Sequence, residues 1–426
     1  MPASGVMAIG STECPACKSA SHTDAALMHE MECSLLRPPK IRATCTEDTG
    51  GTVSANHARR LRHHYGLVVI DPHDELDPAT IAVTAGRPAR TPDAPVNTPI
   101  VPASTFVAGG PTEYAREGNP TVAAFEEVIA ALEGGTHALA FSSGMAAAES
   151  VLDLVSLGAR VIAPTTTYTG VAVRLRELAE KGSIDLTVVD ITDTEAVLAA
   201  INLGAELLWL ESPTNPLLEQ ADLPTIITAA NSAGIRCVVD NTFATPLLQQ
   251  PLSLGADIVM HSATKGLSGH SDLLMGVLVT NNAELAEALH TRRILLGAMP
   301  SSFDAYLATR GVRTLSVRME RSRATAALLH QRLADNPAIS RVASFGSMLT
   351  IEFGGDAERA TRVCENTTIW VHATSLGGVE SLLERRRRWP LEAAHVPEDL
   401  VRLSVGIEDC EDLWRDLASA IEKSKT

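Results

Sequence analysis

Between residues 121 and 296 short apolar runs alternate with stretches of helical period. The runs 138–142, 160–163, 186–190, 206–211, 235–240, 257–260 and 276–280 have the length and character of strands. Helical patterns at 144–156, 170–181, 193–202, 222–233 and 283–296 fall between most of them. Strands that read as unbroken apolar runs are buried on both faces, and intervening helices supply the cover. This order therefore predicts βαβ units and an α/β fold built on a mainly parallel sheet. Ligands on such sheets sit at the carboxyl ends of the strands, so residues just past each run carry the most weight.

The flanks read differently. Val122, Phe125, Ile129 and Leu132 recur at helical spacing, and Gly134-Gly135 stops that helix. Residues 77–120 become rich in Pro and Gly from about 86 and read as an extended arm. Residues 1–76 are polar, rich in Cys and His, and carry no sustained period; they read as a mobile extension or as a start codon placed too early. From 312 a long charged amphipathic helix, Val312 to about Asn336, leads to strands near 341–354 and 401–405 and a last helix at 410–423. The expected organisation is an extension (1–76), an arm (77–120), an α/β domain (121–311) and a smaller C-terminal α+β domain (312–426). No internal repeat or long low-complexity segment interrupts it.

Composition narrows the function. Hydrophobic residues make up 45% and charged residues 20% of the 426, a balance that excludes disorder over most of the chain. No apolar run approaches the roughly 18–20 residues that span a bilayer, and no Lys- or Arg-led apolar stretch marks a signal peptide. The net charge of −16 repels nucleic acid and anionic lipid at long range. Cys237, Cys364 and Cys410 are too scattered for a disulfide framework, which makes a reducing cytosol the expected compartment. Cys14-Pro-Ala-Cys17 with Cys33, Cys45, His22 and His29 could ligate zinc, but a second close pair is missing, so no metal is assigned.

Three segments carry chemistry. In Ile258-Val-Met-His-Ser262-Ala-Thr264-Lys265-Gly a lysine follows an apolar strand. Partial desolvation there would lower its pKa and make it an amine nucleophile, with the Ser262 and Thr264 hydroxyls placed for phosphate; an ordinary surface lysine fits equally well. Cys237-Val-Val-Asp240-Asn-Thr242 ends a strand in an acid, which needs a cation if buried and otherwise caps a turn. A protonated pyridine nitrogen is such a cation, and pyridoxal phosphate needs both a lysine and an acid. In Phe141-Ser-Ser143-Gly144-Met145-Ala a strand turns into a helix through serine and glycine, either an anion site of backbone N–H groups or a simple turn.

With these three in order, the chain resembles the Cys/Met-metabolism family of pyridoxal-phosphate enzymes, which includes cystathionine γ-synthase, cystathionine γ- and β-lyases and methionine γ-lyase. The resemblance spans roughly 77–420 and is densest in Asp257-Ile-Val-Met-His-Ser-Ala-Thr-Lys-Gly-Leu-Ser-Gly-His-Ser-Asp272. It implies fold type I, the aspartate aminotransferase-like fold. It implies that Lys265 bonds the cofactor and shuttles protons, that Asp240 holds the ring nitrogen protonated with Thr242 beside it, and that Tyr168 stacks on the ring and assists the leaving group. Gly144, Met145, Ser262 and Thr264 would hold the phosphate, joined by Tyr114 and Arg116 from a neighbouring subunit. Asn215 would bond the phenolic oxygen, and Arg402 would grip the substrate α-carboxylate in a bidentate fork supported by Ser375. The plain alternatives are a strand-edge arginine at 402 and a turn serine at 375. A shared site implies a homodimer as the minimum unit, and the family's habit implies a homotetramer.

The implied activity is γ-elimination or γ-replacement on a small-molecule L-amino acid with a γ-leaving group, in the manner of cystathionine γ-lyase. Cystathionine γ-synthase or β-lyase activity, or a regulatory protein that merely binds the cofactor, are the alternatives. The chain departs from the family pattern at three places. Members that handle cystathionine commonly carry glutamate where this chain has Thr374, and arginine where it has Val173, with Arg174 adjacent. That favours a small uncharged γ-substituent, such as a halide. Third, Arg385-Arg-Arg-Arg388-Trp389 replaces a His-Pro-Ala-Ser-type loop. The run reads either as a solvated, salt-bridged turn or as an entrance loop that selects an acidic substrate or partner.

Overall fold

The computed structural model describes residues 76–110 and 112–425. The cysteine- and histidine-rich segment, with its zinc reading, lies outside the described residues. Helix α1 spans Pro78–Thr84 and α2 spans Pro120–Glu133. Each is started by a polar cap followed by proline: the Asn119 side chain accepts from Thr121 N, and Gly134 ends α2 with φ 67°. Between them no described residue of 86–119 lies in a helix or strand beyond one isolated bridge, Thr105 to Tyr114.

A seven-stranded sheet follows: β1 (His137–Phe141), α3 (Gly144–Leu152), β2 (Ala159–Pro164), α4 (Thr169–Glu180), β3 (Ile184–Val189), α5 (Thr194–Asn202), β4 (Leu207–Glu211), α6 (Leu223–Ser232), β5 (Arg236–Asp240), the single-turn α7 (Thr245–Leu248), β6 (Ile258–Ser262), β7 (Gly276–Thr280) and α8 (Ala283–Leu296). The spatial order is β1-β7-β6-β5-β4-β2-β3. Every pairing is parallel except those of β7, which runs antiparallel to both β1 and β6. Side-chain alternation covers both faces. Leu207 and Trp209 of β4 pack with α3, α4 and α8, whereas Leu208 and Leu210 pack with α5 and α6.

The chain continues through α9 (Ser302–Val312), α10 (Leu315–Ala334), β8 (Arg341–Phe345), β9 (Met348–Glu352), α11 (Ala357–Asn366), β10 (Val371–His372), β11 (Leu382–Arg385), β12 (Val401–Ser404) and α12 (Cys410–Lys423). The second sheet runs β10-β11-β12-β9-β8, antiparallel apart from β10 against β11. Its core face sets Leu349, Ile351, Leu383, Val401 and Leu403 against α10, α11 and α12. The intervening residues, Glu384 and Arg402 among them, therefore point away from that core.

Four details differ from expectation. The strand near 341–354 is the hairpin β8–β9. Helix α9 went unpredicted because its buried stripe is Ala305, Ala308, Thr309 and Val312, small residues that barely register as hydropathy. It also shifts the start of the long helix from 312 to Leu315. Helix α11, which buries Ala360, Val363 and Cys364, and the four-residue β11 also went unpredicted.

Candidate active site

Strands β4, β5 and β6 end side by side in Glu211, Asp240 and Ser262. With the start of α3 they form one wall of a cavity; the other wall comes from 374–376 in the loop between β10 and β11, Arg386 just after β11, and Arg402 on β12. Of the residues singled out in the sequence, Gly144, Met145, Ser262, Thr264, Asp240, Thr242, Lys265 and Tyr168 line it. Asn215, Thr374, Ser375 and Arg402 line it as well. Tyr114 and Arg116 do not. They sit on the arm, with the Arg116 guanidinium 4.8 Å above the Tyr114 ring, beside a different depression.

Lys265 lies in the loop after β6, and its Nζ donates to Ser375 Oγ at 2.9 Å. Burial pushes its pKa down to about 8; the Arg402 charge adds to this and Glu384 opposes it. A sizeable fraction of the amine is then unprotonated near neutrality, which a nucleophile requires. The buried Arg318 of α10 pins the loop by donating to Gly266 O (2.8 Å) and Leu267 O (3.2 Å). Ser375, a non-glycine residue, stands at φ 97°, and Gly377 two positions on packs so tightly that a Cβ would meet Gly266 N at 2.7 Å. That close approach brings Ser375 within reach of the lysine.

Asp240 is 7% exposed. Its Oδ1 accepts from Thr242 N (3.0 Å) and Thr242 Oγ1 (2.5 Å), and Thr242 Oγ1 in turn accepts from Ser262 N. No cationic side chain pairs with Asp240 among the described residues, and burial raises its pKa. A carboxylate held this way has a place for an external cation. Glu211, opposite Asp240 across the β4–β5 pairing, went unnoticed in the sequence although it ends its strand in the same way. Its carboxylate accepts from Thr167 Oγ1 (2.5 Å), Tyr168 N (2.6 Å) and Asn215 N (2.9 Å), so one acid fixes the backbone of two residues lining the cavity. Burial and the Asp240 charge push its pKa up to about 8.

Ser143 caps α3, its Oγ accepting from Ala146 N at 3.0 Å. The first N–H groups of α3 are left for an anion. A Cβ on Gly144 would meet Ser262 at 3.1 Å, so glycine keeps this corner open. Thr264 Oγ1 accepts from Met275 N (2.9 Å) and donates to Met275 O (3.2 Å), whereas Ser262 Oγ makes no hydrogen bond to another described residue. An amine, an unpaired buried acid and a helix N-terminus in one cavity fit the aldehyde, ring nitrogen and phosphate of pyridoxal phosphate.

Arg402 is buried on β12, where burial lowers its pKa to about 10 and leaves it charged at neutral pH. Nη1 donates to Asn215 Oδ1 (2.6 Å); Nη2 donates to Ser375 O (3.0 Å) and Glu384 Oε1 (2.6 Å). Both Nη2 protons are thus engaged within the chain. Glu384 faces Arg402 directly across the β11–β12 pairing. It also receives Arg386, Arg388, Trp389 and Thr374. The arginine run is salt-bridged throughout, Arg385 and Arg387 to Glu398, Arg386 to Glu384 and Glu392, and Arg388 to Glu384. It is not a uniformly solvated turn, since Arg386 is 6% exposed and lines the cavity. Sequence reasoning stopped at the charge run because the strand placing Glu384 opposite Arg402 was not readable. Among the described residues no cluster of three or more His, Cys, Asp or Glu side chains could hold a metal ion.

Known proteins resemble this chain in sequence and fold. The profile of the Cys/Met metabolism PLP-dependent enzymes matches residues 79–422. The chain is 42% identical over 378 residues to cystathionine γ-synthase of Mycobacterium bovis, covering 81% of this chain and 96% of that one. It is 37% identical over 376 residues to cystathionine γ-lyase of Dictyostelium discoideum, covering 81% and 97%. Among solved structures, metB of Corynebacterium glutamicum superposes with a TM-score of 0.80 at 38% identity, over 83% of this chain and 100% of that one. By sequence, fold and the residues gathered at its strand ends, the chain belongs to the Cys/Met metabolism PLP-dependent enzyme family.

Proposed function

We propose that the protein eliminates or replaces a group on Cγ of an L-amino acid, in the manner of a cystathionine γ-lyase. The observation that carries this reading is the convergence of Lys265, Asp240, the start of α3 and Arg402 on one cavity. Pyridoxal phosphate, when bound, supplies an aldehyde that captures amines and a ring that takes up charge from Cα. Asp240 pairs with the ring nitrogen. The N–H groups of Gly144 and Met145 with the Ser262 hydroxyl hold the phosphate; the Thr264 hydroxyl joins them by turning from Met275. Tyr168, half-exposed, would stack on the ring and stand near the leaving group. Asn215 reaches the phenolic oxygen, and Arg402 takes the substrate carboxylate with Ser375 beside it.

Lys265 is the proton carrier. Its free amine would take up the substrate's Cα proton, later a Cβ proton, and return protons as the Cγ substituent departs with its bonding electrons. Ser375 Oγ orients the amine for these transfers. Tyr114 and Arg116, outside this chain's cavity, serve the site of a second copy, which makes a homodimer the minimum active unit and a homotetramer the expected assembly. No described helix is long and apolar enough to cross a membrane. A cytoplasmic enzyme with no nucleic-acid or membrane partner agrees with that and with the charge of −16. The arm at 77–120, the cofactor domain at 121–311 and the smaller domain at 312–426 remain the preferred division.

A small uncharged γ-substituent is the preferred leaving group. Thr374, where a glutamate would meet a distal ammonium, spends its hydroxyl on Glu384 at 3.1 Å. Arg174, beside Val173, is turned onto Glu149 at 2.5 Å and Glu177 at 3.4 Å. A zwitterionic distal arm therefore finds no free partner at either position. The test is a panel of L-cystathionine, L-methionine, O-acyl-homoserines and γ-halo amino acids, assayed for 2-oxo acid and for amino-acid products. The highest kcat/KM is expected for a small γ-substituent. A clear preference for cystathionine overturns the substrate reading and leaves the reaction class intact; turnover of none of them overturns both.

A further inference from the structure

We propose that Glu384 is the resting counter-ion of Arg402, and that Arg386, Arg388 and Trp389 hold Glu384 so that it can surrender Arg402 to the substrate carboxylate. The proposal rests on the reading of Arg402 as the carboxylate's partner and adds positioning residues to it. It starts from a problem of charge. Arg402 is 3% exposed, and a buried guanidinium without an anion is strongly unfavourable. Before substrate arrives it needs an internal partner. The β11–β12 register supplies one by setting Glu384 directly across from it.

That partner occupies the groups the substrate needs. A bidentate carboxylate uses two parallel N–H groups, and both Nη2 protons are spent on Ser375 O and Glu384 Oε1. Binding therefore requires Nη2 to turn from Glu384 Oε1 to a substrate oxygen. If Arg402 were the only cation near Glu384, this exchange would strand a buried carboxylate.

The arginine run prevents that. Glu384 Oε1 also accepts from Arg386 Nη1 at 2.7 Å and Thr374 Oγ1 at 3.1 Å. Oε2 accepts from Arg388 Nη2 at 2.9 Å and Trp389 Nε1 at 3.1 Å. These four donors remain when Arg402 leaves. Arg386 is itself anchored, with Nε and Nη2 on Glu392 Oε2 at 2.9 and 2.5 Å, and Arg388 lies over the Trp389 ring at 4.5 Å. In this resting arrangement burial opposes ionisation of the Glu384 carboxyl, but Arg402 and Arg386 hold it down at about 2. The run that reads in the sequence as a surface feature thus acts through Glu384 on substrate affinity.

The test is calorimetric titration of the holoenzyme with glycine, which has the α-carboxylate and no Cγ, alongside KM and kcat for a turned-over substrate. Arg388→Met removes a loop cation whose side chain is one-third exposed, so the fold tolerates it. Glu384 should then cling to Arg402, weakening glycine about 3- to 10-fold and raising KM in step at unchanged kcat, the scale of one ordinary hydrogen bond. In a Glu384→Gln background the same substitution should change glycine affinity less than about 2-fold, because the competing anion is gone. Trp389→Phe should show a smaller effect of the same sign and the same dependence on Glu384. An unchanged glycine affinity in Arg388→Met overturns the proposal, as does an equal loss with and without Glu384, the result expected of a purely structural ion pair. Arg402→Gln separates the two readings. If it binds glycine as well as the wild type, the assignment of the carboxylate to Arg402 fails; if it loses glycine while Arg388→Met does not, only the counter-ion fails.

Discussion

The two walls of the cavity are built on different principles. The cofactor wall is a row of strand ends and a helix start, and each functional group sits in a short contiguous stretch: Asp240 to Thr242, Ser262 to Lys265, Ser143 to Met145. The substrate wall is a sheet surface, where the register of β11 on β12 brings Glu384 to Arg402 and a turn folds Arg386 and Arg388 back onto the same carboxylate. The first wall keeps an acid without a cation and a lysine with a lowered pKa, both awaiting a ligand. The second is closed on itself, each buried charge already paired. Groups on the first wall should therefore govern whether chemistry occurs, and groups on the second how tightly the amino acid is held.

The largest effect should come from Lys265→Ala. Borohydride treatment followed by digestion should fix the cofactor on the peptide around Lys265 in the wild type and on no peptide in the variant. Turnover should fall by about 10⁴-fold, the upper range for a lost proton carrier. Retained turnover would break the comparison at its first wall. Asp240→Asn comes next, with kcat down about 10²- to 10³-fold, the scale for removing one preorganised charge. A rise in KM alone would place Asp240 on the wrong side of the division.

Arg402→Lys should do the reverse. Losing the fork raises KM by about 10- to 100-fold, the equivalent of one or two charge-assisted bonds, and leaves kcat within a few-fold. An equal fall in kcat would merge the two walls into one function. A finer test uses pH. Because burial lowers the Lys265 pKa to about 8, acylation of that lysine in cofactor-free enzyme should reach half its limiting rate near pH 8 rather than near 10.5. Arg402 adds to the lowering, so Arg402→Gln should move the midpoint upward; a midpoint that stays put uncouples the walls electrostatically. The smallest effect belongs to Arg174→Ala, which breaks only the partly exposed pairs with Glu149 and Glu177 and should leave KM within about 2-fold. A larger change would bring Arg174 back into substrate binding.

Much of the cofactor wall was legible in the chain. Strand identity follows from runs such as Val238-Val239 before Asp240, and a residue at a strand's carboxyl end lies near the ligand crevice whatever the details of packing. Glu211 obeys the same rule and escaped notice only because no ligand chemistry pointed to it. The substrate wall was legible only as isolated letters. Arg402 and Ser375 came from family resemblance, and the arginine run offered two readings, a solvated, salt-bridged turn or an entrance loop. Its salt bridges were foreseen; the burial of Arg386 against the cavity was not. Helix α9 was missed because Ala305 and Ala308 reveal their burial only when packed.

The linear order of residues settled the α/β class and the family with its pyridoxal-phosphate dependence, because these depend on local periodicity and on motifs a few residues long. It did not settle the antiparallel insertion of β7, the closeness of Ser375 to Lys265, or the pairing of Glu384 with Arg402. Those depend on register and on contacts between residues as distant as 265 and 375, or 215 and 402. Sequence spacing says nothing about such encounters. Only the folded chain, by removing these charges from water together, decides which of them must share a partner.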